Sequence, residues 1–191
     1  MAVVIRPATE GDRADVHRVV VTAFGDEGPE VRAMVEALEA AGHVRASLVA
    51  EVDGRVAGHV MLSHAWLDCR ERLVDVLMLS PLAVAPAEQG RGIGTALLEA
   101  AVAEARHLAR PAVFLEGDPR YYGPRGWESG SDRGFTAPST RIPGPAFQVR
   151  TLEGWQPWMT GAVVYVEALW ALDVVGLRDP LLGQLEQMFE R

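Results

Sequence analysis

The chain contains no lysine, so all 18 of its basic residues are arginine. That absence excludes one common phosphate-binding device, because a Walker loop needs a lysine next to Ser or Thr to neutralise the outer phosphates. There is one cysteine, Cys69, so no internal disulfide can form, and the chain fits a reducing cytoplasm. No basic run occurs and the net charge is −8. This argues against nucleic acid or an anionic membrane as the main partner, and an acidic body suits a cationic acceptor such as an amine. No apolar run approaches the roughly 18 residues of a membrane-spanning helix. The opening Met1-Ala2-Val3-Val4-Ile5-Arg6 is too short and too soon polar for a signal peptide. The five histidines are scattered, without H-x-x-x-H spacing or paired cysteines, so no metal site is expected.

What is present is an ordinary globular composition. At 191 residues and 49% hydrophobic content, the chain suffices for one domain with a full core, or one domain and a short appendage. Residues 3–7 read as a strand. Helical spacing follows over 12–24 and again over 29–41, with Pro29 near the second start and Gly42 at its end. Strands are expected over 47–52 and 55–67, joined by the hairpin signal Asp53-Gly54 and irregular near Gly58. An apolar strand runs from Val74 to Ala85, and Pro81 inside it predicts a bulge or a splay, because proline donates nothing to a ladder. A helix is expected over 90–108, a short buried strand over 112–116 and one helical turn over 120–123. A long Gly/Pro-rich loop spans 127–145, two more strands lie over 146–152 and 162–166, and a terminal amphipathic helix covers 179–191. Hairpins with one βαβ crossover imply an α+β fold with a mixed, mostly antiparallel sheet flanked by helices.

The run Gln89-Gly90-Arg91-Gly92-Ile93-Gly94-Thr95 lies between the apolar strand and the long helix. Amides at a helix start lack intrahelical acceptors, and the helix dipole adds partial positive charge, so this is a place to hold phosphate. Glycines here fall at every second position, which does not fit the G-x-G-x-x-G of a dinucleotide fold. The form Q-x-x-G-x-G after Leu82-Ala83-Val84 resembles the pyrophosphate turn of the GNAT superfamily of N-acetyltransferases. Tyr122-Gly123-Pro124-Arg125-Gly126-Trp127 has the Y-x-x-x-G-[FW] form of the same family. Together with Ser47–Gly54, Val56–Val60 and Gly117–Tyr122, these residues are similar to its YhbS-like branch. The resemblance covers residues 1–170 and leaves 171–191 as a C-terminal helical tail. In that tail Leu181, Leu182, Leu185 and Met188 form one apolar face, open to a homodimer contact or to the chain's own core.

The resemblance implies a sheet splayed at the cofactor-binding strand and an acetyl-CoA-dependent transfer to a small-molecule or peptide amine, by direct attack in a ternary complex. A non-catalytic acyl-CoA sensor is the alternative. It assigns Leu82, Ala83 and Val84 to the pantetheine arm, and Gln89, Gly90, Arg91, Gly92, Ile93, Gly94 and Thr95 to the pyrophosphate turn. Tyr122, beside the sulfur, becomes the acid that protonates the departing thiolate, since a phenol keeps its proton at neutral pH. For the base, Glu30 and Glu116 are the catalytic candidates. Glu27 is weighed beside Glu30 as a carboxylate near the acceptor, and His59 and His64 read more readily as hydrogen-bonded sheet residues. Cys69 lies among acids that would raise its thiol pKa, which argues against a covalent acetyl-enzyme.

Overall fold

A computed structural model describes residues 3–189, and the chain divides into two compact units. One takes the chain up to Ser63 together with Leu79–Leu108; the other takes His64–Met78 and the chain from Ala109 onward.

In the first unit β1 (Val3–Pro7) pairs antiparallel with β2 (Val44–Val52), and β2 pairs antiparallel with β3 (Arg55–Cys69). Asp53 and Gly54 both take positive φ, +48° and +76°, as a tight two-residue hairpin requires. The irregularity expected near Gly58 is a one-residue shift: Ala50 faces Gly58 and Glu51 faces Val56, which leaves Ala57 as the extra residue. Strand β2 begins three residues before the predicted Ser47, because Val44 and Ala46 still find partners on β3. Helix α1 (Arg13–Phe24) starts after Asp12 rather than at it. Asp12 accepts from the Thr9 N–H and hydroxyl at 2.7 Å each and from two nitrogens of Arg6 at 2.8 Å, so its carboxylate organises the turn instead of joining the helix. Val16, Val19 and Val20 of α1 pack with Val49, Val56 and Ala83. Helix α2 (Gly28–Ala40) follows one short turn later.

The end of β4 (Leu73–Val84) leads through a short turn to α3 (Ile93–His107), which buries Ile93, Leu97, Leu98, Ala101, Val102 and Ala105. A Cβ on Gly58 would lie 2.8 Å from Leu97 Cδ1, 3.1 Å from Ile93 Cγ2 and 3.2 Å from the Ala83 oxygen. Glycine at this position is what lets the helix lie down on the strands.

In the second unit the strand order is β7-β9-β3-β4-β5-β8-β6, with β5 over Ala112–Glu116, β6 over Glu128–Ser129, β7 over Phe135–Thr136, β8 over Phe147–Thr151 and β9 over Gly161–Tyr165. The pairs β4–β5 and β7–β9 are parallel; β3–β9, β5–β8 and β6–β8 are antiparallel. The β4–β5 ladder consists of Leu77↔Val113 and Met78↔Phe114 alone, and it stops short of Ser80-Pro81, whose peptide bond is cis. Phe114 stacks on Phe147 at 5.6 Å and meets Phe135 edge-on at 5.0 Å, which forms the aromatic centre of this unit. The segment predicted as a polar loop over 127–145 therefore carries β6 and β7 and buries Trp127, Phe135 and Ile142. Helix α4 is the single turn Pro119–Tyr122; α5 (Glu167–Ala171) was not predicted, and α6 (Leu181–Phe189) is the terminal helix, whose predicted last two residues lie outside the described chain. On α6, Leu181 and Met188 are exposed. No helix among the described residues is long and apolar enough to cross a membrane.

Candidate active site

In the first unit the structure places Leu82, Ala83 and Val84 at the end of β4 and the run Gln89–Thr95 at the mouth of α3. Gly90 and Gly92 stand at φ +73° and +83°, and Gly92 is the residue that caps α3. A residue with a side chain is disfavoured in that left-handed region. These two positions explain why α3 begins at Ile93 and not at the predicted Gly90. The Ala96 N–H donates to the Gly92 oxygen at 3.0 Å, closing the first helical turn. The amides of Ile93 and Gly94 precede that closure, so helix geometry gives them no intrahelical acceptor. The first turn of α3 has no acidic side chain to compete for the dipole's positive end. Gln89 donates from Nε2 to the Val84 oxygen at 3.1 Å, tying the turn to the strand, and Arg91 pairs with Glu88 at 2.6 Å. Together these features fit a diphosphate at the α3 mouth.

In the second unit Tyr122 closes α4. Asp118 caps that turn by accepting from the Arg120 N–H at 2.9 Å. The Tyr122 ring lies against Gly117, where any Cβ would collide with it, and meets Trp127 edge-on at 6.1 Å and Tyr121 at 4.9 Å. Arg125 sits 4.0 Å over the Tyr121 ring. Burial, and then the neighbouring Tyr121, push the Tyr122 hydroxyl up to about 12, so it holds its proton throughout the neutral range.

Glu116 ends β5. Burial pushes its carboxyl up to about 7, against the pull of the Tyr165 hydroxyl, the Gly176 N–H and the Arg141 charge. Side chains alternate along a strand. The Cβ direction of Gly117 points at Tyr122, so Glu116 faces the other side of β5, towards Tyr165 and Arg141. Neither Tyr165 nor Arg141 carries a sequence motif; they reach Glu116 through the pairing of distant strands and a loop. Glu27 and Glu30 are exposed at the corner between α1 and α2. His59 is fully buried, shares a 2.9 Å hydrogen bond with the Ser47 hydroxyl, and is drawn down to about 4 by burial, and further by His17, so its ring is neutral. His64 is bonded to Asp75 at 3.0 Å and packs edge-on against Trp66. Burial first, then Asp68 and Glu71, raise the Cys69 thiol, which leaves it a poor nucleophile.

The glycine-opened start of α3 and the half-buried tyrosine that closes the turn after β5 are the features by which the sequence resembles the GNAT acetyltransferases. Residues 4–130 match the family model of the acetyltransferase (GNAT) domain, and the chain belongs to that family. Over 132 residues it is 30% identical to the uncharacterized N-acetyltransferase YjhQ of Escherichia coli K12, covering 68% of this chain and 72% of the relative. The GNAT family N-acetyltransferase YhbS from Escherichia coli, solved in complex with CoA, superposes with a TM-score of 0.79 at 25% identity over 87% of this chain and 91% of that one. A GNAT family acetyltransferase from Brucella melitensis, solved with acetyl-CoA, superposes with a TM-score of 0.71 at 29% identity over 88% of this chain and 98% of the other.

Proposed function

We propose that this protein moves an acetyl group from acetyl-CoA to a primary amine by direct attack. The observation that carries the reading is the α3 mouth, where two left-handed glycines present main-chain amides in a turn free of acidic side chains other than the Arg91-paired Glu88. The YhbS and Brucella relatives, crystallised with CoA and acetyl-CoA, support it. In this reading the amides of residues 91–95 hold the diphosphate with Gln89 fixing the turn, and Leu82, Ala83 and Val84 offer backbone to the pantetheine amides and to the developing oxyanion.

Glu116 takes a proton from the substrate ammonium through water, and its buried carboxyl near 7 suits that task at neutral pH. Glu30, exposed at the start of α2, attracts the cationic acceptor. The freed amine forms the C–N bond, the C–S bond breaks, and the electron pair leaves on sulfur, where Tyr122 supplies a proton. Two protons leave the ammonium nitrogen in all: one balances the thiol and the other passes by way of Glu116 to solvent. Leaving group and nucleophile occupy different corners of the reacting carbon. Acid and base on opposite sides of the β5 end match that demand. The raised thiol of Cys69 supports a mechanism without an acetyl-enzyme. CoA release with acetyl-CoA and a panel of amines is the test. Binding of acetyl-CoA with no release across the panel would instead assign the chain to acyl-CoA sensing.

A further inference from the structure

Three polar groups, Glu116, Tyr165 and Arg141, interact at the end of β5. Tyr165 is 4% exposed, and its buried hydroxyl faces the Glu116 carboxyl, the one group it interacts with. Arg141 is anchored by Nη2 on Asp173 at 3.1 Å, while its Nη1 is buried with no partner. Glu116 senses the Arg141 charge, yet Arg141 spends its ion pair on Asp173. A buried guanidinium N–H without an acceptor is costly, and native proteins seldom leave one. A hydroxyl and a guanidinium N–H together match the two oxygens of a carboxylate. The adjoining glutamate matches an ammonium. An α-amino acid carries both groups at a short fixed separation.

We propose that Glu116, Arg141 and Tyr165 form an acceptor subsite for a small zwitterion of the α-amino-acid class, its carboxylate on Arg141 Nη1 and the Tyr165 hydroxyl and its amine towards Glu116. This rests on the reading of Glu116 as the proton acceptor. A cover lies over the cluster. Leu177 N–H donates to the Arg141 oxygen at 2.9 Å, Gly176 at φ +66° packs against that same carbonyl, and Val175 is fully buried. Arg178 closes on Asp173 behind it. Entry displaces this segment, which restricts the subsite to small acceptors.

The test pairs an α-amino acid with the amine left by its decarboxylation, and follows CoA release from acetyl-CoA. The native protein should favour the amino acid by about 100-fold in kcat/KM, since a site built to hydrogen-bond a charged group discriminates strongly against its loss. Assayed at pH 9, where Glu116 is ionised in both proteins, Arg141→Met should erase that preference through KM for the amino acid, with a far smaller change for the plain amine. Arg141→Lys, which keeps a cation for Asp173, guards against a folding defect and should still lose most of the preference, because it lacks the planar fork. Tyr165→Phe should lose about tenfold. Calorimetric titration of the amino acid without acetyl-CoA reads the subsite independently of turnover. Equal efficiency on both acceptors, or an Arg141→Met variant that slows both alike, overturns the proposal and leaves a bridging water as the occupant. If Glu116→Gln keeps full rate on both acceptors while Arg141→Met still erases the preference, the base assignment fails and the carboxylate subsite stands.

Discussion

Gly58→Ala tests whether the packing of the sheet sets the geometry of the proposed diphosphate turn. The added methyl would stand 2.8 Å from Leu97 Cδ1, 3.1 Å from Ile93 Cγ2 and 3.2 Å from the Ala83 oxygen. Leu97 and Ile93 are 0% and 1% exposed, so neither side chain has open space to retreat into, and the third neighbour is backbone of β4. Overpacking of this kind costs about 1–3 kcal/mol, and alanine regains about 0.5–1 kcal/mol of backbone entropy over glycine in a strand. The net loss is between about 0 and 2.5 kcal/mol, centred near 1 kcal/mol, which lowers the melting temperature by about 2–4 °C for a chain of this size. The relief available is for the start of α3 to lift from β3. Ile93 heads that helix, and its amide is among the proposed phosphate donors, so affinity for CoA should fall about tenfold with the melt. Thermal unfolding and calorimetric CoA titration on the same preparation read both effects. A variant that melts above the native protein, as the alanine backbone gain alone would give, refutes the close approach of β3 and α3. A variant that melts lower but binds CoA unchanged refutes the coupling of that packing to the turn.

Gly92→Asp places a side chain at φ +83° and a negative charge beside the anion site, and CoA titration should show a loss of at least about 100-fold; retained tight binding would move the diphosphate elsewhere. Tyr122→Phe should lower kcat by about tenfold or more with little change in KM for acetyl-CoA, and an unchanged single-turnover rate removes the acid role. With the Glu116 carboxyl at about 7 and active as its carboxylate, kcat/KM should climb as pH rises through 7 and then level, while Tyr122, at about 12, adds no falling limb below pH 10. Glu116→Gln should abolish that limb. Because folding raises this carboxyl above its unfolded value, the stability it contributes is present at low pH and is lost as pH rises through 7, so the glutamine variant should gain more in melting temperature at pH 8 than at pH 5. Asp12 has the opposite sign. The Arg6 guanidinium, with help from Thr9, holds its carboxyl far below the usual range, and Asp12→Asn should destabilise at pH 7 by about 1–3 kcal/mol, a difference that fades as native Asp12 loses its charge in acid.

The glycine turn that opens α3 was legible in the sequence because every part of it is local: strand, Gln89, alternating glycines and helix are contiguous, and their physics needs no distant partner. The Asp53-Gly54 hairpin and the irregularity at Gly58 were legible for the same reason. Boundaries slipped where a side chain did something a periodicity count does not register. Asp12 spends its carboxylate on Arg6 and Thr9 instead of entering α1. Strands β6 and β7 are two residues each, too short to show alternation. The glycines and prolines around them hide the fact that Trp127, Phe135 and Ile142 are core.

The surroundings of Glu116 were illegible for a deeper reason. A reading of residues 112–122 finds a glutamate at a strand end and nothing that distinguishes it from a solvated carboxylate. Its character is made by Tyr165, which comes into place because β9 pairs with β3 at Ala65↔Tyr165, β3 lies next to β4, and β4 pairs with β5. It is also made by Arg141 and Gly176, which arrive on loops with no periodicity of their own. Each of these residues reads as ordinary by itself: a strand tyrosine, a loop arginine, a turn glycine. Proton affinity near neutral pH is a property of their convergence, since burial raises it and the three neighbours only partly offset the rise. A substitution at Tyr165 or Arg141 should therefore shift the pH profile of the reaction, although neither residue belongs to any motif by which the family is recognised.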